Sequence, residues 1–211
     1  MPDRRPPPHA CEDEAREALL KARETLAVAG GAAGSACLSL RWHRSGGAGM
    51  LITAATAQVQ AAVSEAPPIL WLALEERRVS LPAAEAPPTD EWRLHRDLYQ
   101  RRSDVEAIVR CRPTYATAIA CCRTTAPDGV PVFHPDMAGI AGGALACVDC
   151  GLPGTSLRFE PLLPALHDRS ACLLAGWGLL ACGASLAAAT SRAVEVEALA
   201  RIWWHVLQIE R

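Results

Sequence analysis

The chain has 211 residues, half of them hydrophobic and 21 % charged, enough apolar surface for a full core and too much for a disordered protein. A net charge of -2, with the arginines spread along the chain, excludes the basic footprint of a nucleic-acid or anionic-membrane binder. Nine cysteines, an odd number without the dense spacing of a small secreted scaffold, read as reduced thiols of a cytoplasmic protein.

Residues 1–11, rich in proline and arginine, have no apolar core of the signal-peptide type and read as a disordered tail; 12–211 read as one domain. Glu12 to Ala29 predicts a helix, with acidic residues at its start, apolar Leu19, Leu20 and Leu26, and a stop at Gly30-Gly31. Leu38 to Trp42 alternates as a half-buried strand does, and Gly46-Gly47 turns it into Met50 to Thr53, a hairpin. Ile69 to Leu81 predicts another pair of strands. The stretch PPTDEWRLHRDLYQRR predicts a helix to Arg102, capped by Thr89 or Asp90.

Val105 to Cys111 predicts a strand, and Pro113 to Cys122 a short helix opened by its proline. Looped strands follow from Val130 to Cys147, then a short helix at Leu162 to His167. The uncharged run Ala171 to Thr190 has the length of a membrane span, but Gly176, Gly178 and Gly183 divide it, and a strand hairpin running into a helix accounts for it better. Ala184 to Gln208 predicts a long closing helix. Strands interleaved irregularly with helices, without a repeat, predict a layered α/β domain with its sheet covered on both faces.

One detail stands out. Arg110 and Arg112 close the apolar strand AIVRCR, and side-chain alternation sends both the same way. The ordered motifs PTDEWRLHRDLYQRRSDVEAIV, YATAIA, VFH…GIAGG, CLLAGWGLLACG and AVEVEALARIWWHVLQ resemble the class II aldolase/adducin family from about Glu12 onward. The resemblance implies a three-layer α/β/α domain around a mixed, mostly antiparallel sheet. It also implies a four-fold homotetramer with active sites between subunits.

Members of that family acting as aldolases bind a divalent ion through His-x-His and a later histidine, and a glutamate shuttles the proton. Carried onto this chain, the glutamate is Glu91, the His-x-His pair falls on Arg110 and Arg112, and the third histidine falls on Trp177. The family's phosphate pocket falls near Ala36-Cys37, on Ala55-Thr56, and on Thr89 and Asp90; its proton-donor tyrosine falls at or beside Pro135. Apart from Glu91, none of these matches the family's residue types. The expectation is therefore a domain without the zinc site and phosphate pocket, needing no metal or other cofactor.

Schiff-base chemistry has no candidate near this site, because Lys21, the chain's single lysine, lies on the first helix. Cys147 and Cys150 form a lone CxxC, which could hold a replacement metal with Cys121, Cys122 or His134, or pack as small hydrophobes. Trp203-Trp204 read as core or subunit contact, or as a ligand surface.

Glu91 with Arg110 and Arg112 allows two readings. The arginines replace the metal's charge and neutralise Glu91, giving a non-catalytic binding, scaffold or regulatory protein. Alternatively, Glu91 is the base of a metal-independent lyase, decarboxylase or isomerase, with Arg110, Arg112, Trp177 and His134 around a small anionic ligand.

Overall fold

The computed structural model describes residues 9–30, 36–45, 47–54, 67–75, 89, 91–122, 128–151 and 160–210. Its elements are α1 (Glu12–Val28), β1 (Cys37–Arg44), β2 (Gly47–Thr53), β3 (Ile69–Ala73), α2 (Trp92–Arg101), β4 (Ala107–Cys111) and α3 (Thr114–Cys121). There follow β5 (Gly129–Val130), α4 (Met137–Ala141), β6 (Leu145–Val148), α5 (Leu162–Ala165), β7 (Ala171–Leu174), β8 (Gly178–Gly183) and α6 (Leu186–Ile209).

The strands form one eight-stranded sheet in the order β3-β2-β1-β4-β8-β7-β6-β5. Among the described residues, β6 and β7 run parallel and the other pairings are antiparallel. The domain is α/β with a mixed, mostly antiparallel sheet.

Side-chain alternation sorts each strand between two cores. Leu38, Leu40, Ala107, Val109 and Leu179 pack with α1, α3 and α6, while Cys37, Ile108, Cys172 and Leu180 pack with α2 and α5. Helices thus cover both faces, giving three layers.

Local chemistry explains the main helices. In α1, buried Ala15, Leu19, Ala22 and Leu26 recur at helical spacing, and Glu12, Asp13 and Glu14 complement the positive end of the helix dipole. In α6, the Ser185 Oγ caps the first turn by accepting from the Ala188 N–H at 3.1 Å. The uncharged run 171–190 resolves into β7, a turn, β8 and the start of α6. Gly178 sits at φ +110°, and a Cβ there would lie 2.6 Å from the Cys111 carbonyl oxygen, so the turn requires glycine. No helix among the described residues is long and apolar enough to cross a membrane.

Three expectations change. The segment 130–147 holds a two-residue strand β5, the short helix α4 and then β6, instead of strands throughout. Of the strand pair expected over 69–81, β3 ends at Ala73 and turns at Leu74-Glu75, the remainder lying outside the described residues. The N-cap of α2 is Glu91, without a side-chain cap bond; the Thr89 hydroxyl lies instead 3.2 Å from the Cys37 sulfur. Asp90, Ala55-Thr56 and residues 1–8 of the tail lie outside the described residues.

Candidate functional site

The site lies on the α2 face of the sheet, where β4 ends. All of β4 is buried, and alternation that sends Val109 and Cys111 to the α1/α3/α6 layer sends Arg110 under α2. Arg110 is 1 % exposed, with Cys37 of β1 and Leu180 of β8 as its cross-strand neighbours. A guanidinium so placed demands a counter-charge. Glu91, at the start of α2, supplies it, with Oε1 2.6 Å from Arg110 Nη2. Trp177, in the β7–β8 turn, lies with its ring centroid 5.8 Å from Arg110 Cζ and donates its N–H to the Gly151 carbonyl at 2.8 Å.

Burial draws the Arg110 guanidinium below its ordinary range; the Glu91 carboxylate opposes that, and the Arg112 charge adds to it. Arg112 itself is exposed, just past the end of β4, and lies against the β8 entrance, where a Cβ on Gly178 would sit 3.3 Å from its Cγ. The two arginines therefore have different surroundings. One is locked in the core and the other is exposed at the strand end.

A polar row continues along α2. The Ser39 Oγ lies 2.7 Å from His95 Nδ1 and 2.8 Å from the Tyr99 hydroxyl, all within the core. Burial, and then the Arg110 charge, hold His95 down at about 3, so the ring is neutral. Burial and then the Glu91 charge push the Cys37 thiol up to about 12, so it is a thiol and not a nucleophilic thiolate. Beyond the strand, the Glu197 carboxylate reaches from α6 to accept from the N–H groups of Tyr115 and Ala116, both at 2.8 Å, which anchors α3 behind Arg112.

Glu91, Arg110 and Trp177 are therefore brought together, with Arg112 at their edge. His134 is not: its Nδ1 accepts from the Asp136 N–H at 3.3 Å and lies 3.5 Å from the Asp136 carboxylate, within its own turn. Ser39, His95 and Tyr99 went unnoticed in the sequence. Their signal is the i, i+4 spacing of Glu91, His95 and Tyr99, which puts three polar groups on the buried face of one helix.

These residues do not fit a divalent ion. A guanidinium has no lone pair, the Trp177 N–H is a donor already engaged with Gly151, and Glu91 is paired with Arg110. The CxxC does not fit one either, because Cys147 packs toward the α1/α3/α6 layer and Cys150 is buried in the α2/α5 layer. Among the described residues, no group of three or more His, Cys, Asp or Glu side chains is placed to hold a metal. Trp203 packs on Phe133, ring centroids 5.2 Å apart, whereas Trp204 is partly exposed.

Comparison with known proteins gives this geometry a context. The fold superposes on an L-fuculose 1-phosphate aldolase structure with a TM-score of 0.76 and 25 % identity, covering 96 % of this chain and 90 % of the other. The L-fuculose-1-phosphate aldolase of Thermus thermophilus matches with a TM-score of 0.71 and 23 % identity, covering 93 % and 96 %. By sequence, 122 residues are 38 % identical to the 5-methylthioribulose-1-phosphate/5-deoxyribulose-1-phosphate aldolase of Rhodospirillum rubrum, covering 58 % of this chain and 53 % of that protein. The L-fuculose phosphate aldolase of Escherichia coli K12 is 34 % identical over 122 residues, 58 % of this chain and 55 % of its own length. The match thus spans about half the length of these curated relatives. The family model described as the class II aldolase and adducin N-terminal domain matches residues 18–204, nearly the whole chain, and the protein belongs to that family.

Proposed function

We propose that this protein is a class II aldolase/adducin-domain protein without metal-dependent lyase activity, serving a binding, scaffold or regulatory role as a homotetramer in the cytoplasm. The observation that carries the reading is the Glu91–Arg110 ion pair at 2.6 Å, packed under Trp177. At the positions where the resemblance puts a metal, the chain supplies its own permanent cation. A glutamate held in its charged form by a buried guanidinium is a weaker base toward a substrate proton. At Cys37 and Thr89, where the resemblance puts part of the phosphate pocket, a protonated thiol and a hydroxyl lie 3.2 Å apart and satisfy one another, which supports the reading.

A second reading is favoured by Arg112, which is exposed just past the end of β4, two residues from Arg110. It would hold the carboxylate of a small substrate while Glu91 acts as base in a metal-independent lyase, decarboxylase or isomerase.

The relatives' names supply the assay. Purified protein is offered L-fuculose 1-phosphate and 5-deoxyribulose 1-phosphate, with added zinc and with a chelator, and small 2-oxo and hydroxy acids in parallel. The first reading expects no turnover in any condition. Zinc-dependent cleavage of a sugar phosphate overturns both readings. Chelator-resistant turnover of a small carboxylate, abolished by Glu91→Gln, establishes the second.

A further inference from the structure

We infer that a buried polar seam, Ser39 with His95 and Tyr99, fixes the register of α2 on the sheet and so sets Glu91 on Arg110. His95 and Ser39 are thereby positioning residues for that pair. Along α2, Glu91, His95 and Tyr99 stand one above another on a single face. Across from them, Cys37, Ser39 and Arg41 alternate onto one face of β1.

The two rows meet by directional contacts. Ser39 Oγ touches both His95 Nδ1 and the Tyr99 hydroxyl, at 2.7 and 2.8 Å. Arg41 Cζ stacks 4.8 Å from the Tyr99 ring centroid, while its Nη2 donates to the Tyr99 carbonyl at 2.9 Å. The first turn of α2 then closes with the His95 N–H on the Glu91 carbonyl at 3.2 Å.

The neighbouring contacts of Leu94 and Leu98 are apolar and tolerate sliding; these do not. A slip of one residue shifts a helix by about 1.5 Å and turns its face by about 100°, which carries Glu91 away from Arg110. Ser39, His95 and Tyr99 are at most 2 % exposed, so water is not at hand to replace a lost partner. Histidine suits the central position because, held neutral, it accepts or donates one hydrogen bond without setting a second cation beside Arg110.

Hydrogen–deuterium exchange on the full chain tests this. Ser39→Ala is expected to speed exchange in the first turn of α2 by about tenfold, as local opening there becomes easier, with α1 and α6 unchanged. Glu91→Gln is expected to do the same. Ile108→Val, which shortens the cross-strand neighbour of Ser39, supplies the control and is expected to leave that turn at the wild-type rate. Wild-type exchange in Ser39→Ala, or equal acceleration in Ile108→Val, overturns the inference. Should Ser39→Ala fail to fold, Tyr99→Phe removes only the outer hydroxyl, and unchanged exchange of the same turn in that variant is equally decisive. The inference rests on the Glu91–Arg110 pair and not on which functional reading holds, so its failure leaves the turnover assay intact.

Discussion

The Arg110 guanidinium and the Glu91 carboxylate meet at 2.6 Å with 1 % and 9 % of their side chains exposed. Removing one partner of such a pair costs about 3–5 kcal/mol, because the other charge stays buried. Glu91→Gln is therefore expected to lower the melting temperature by roughly 6–20 °C for a domain of this size. Replacing both charges together, Glu91→Leu with Arg110→Met, is expected to recover most of that loss, since apolar replacement of a whole buried pair is neutral or better. Thermal melts of the two variants and the wild type check both statements. A Glu91→Gln protein as stable as wild type would rule out the pair as a stabilising contact.

Zinc is expected to be absent from the purified protein at stoichiometric level. The residues at 110, 112 and 177 are two guanidiniums and an indole, none of which donates a lone pair. Elemental analysis after metal-containing growth is the measurement. Near one equivalent of zinc, lost on substituting Glu91, would contradict the site described above.

Acid should weaken the protein through His95. Its folded value of about 3 lies below the ordinary 6.5, so its contribution is complete above pH 6.5 and is lost as pH falls toward 3. The sum over that window is up to about 5 kcal/mol, at 1.36 kcal/mol per unit. Two carboxylates frame it. Glu12, held near 2 by Arg44, loses its contribution only below pH 4.5, while Glu197, raised by burial, favours the folded state on acidification. The decisive quantity is thus the difference between wild type and His95→Gln: chemical denaturation from pH 7 to pH 4.5 should give a flatter profile for the variant. Parallel profiles would remove His95 from the account.

Assembly is the fourth expectation. A homotetramer is expected from a resemblance that runs through nearly the whole chain, and a net charge of -2 offers little repulsion between copies. Light scattering coupled to size exclusion should return about four times the 22.5 kDa chain mass. A stable monomer at micromolar concentration would overturn it.

Much of this architecture is legible in local pattern. The α1 and α6 helices, the β1–β2 hairpin and the β7–β8 hairpin all follow from periodicity and glycine placement, because each satisfies its backbone with neighbours in sequence. The order of motifs carried the family. Short elements were another matter. MAGIA forms α4 although its few residues, one of them Gly139, show no helical period, and Thr89 looked like a cap until the fold placed Cys37 against its hydroxyl.

The site divides in the same way. An arginine in the apolar strand AIVRC is visible as an anomaly in the sequence alone, and so is a glutamate ahead of an amphipathic helix. That the two are partners is decided by tertiary structure: β4 lies between β1 and β8, α2 crosses above, and Arg110 alone of the two arginines turns into the core. Ser39 and His95, 56 residues apart, meet only once that crossing exists. Sequence pattern reports which side chains want burial; it does not report partners, because a buried charge is satisfied by whatever the packed layers bring within hydrogen-bond distance.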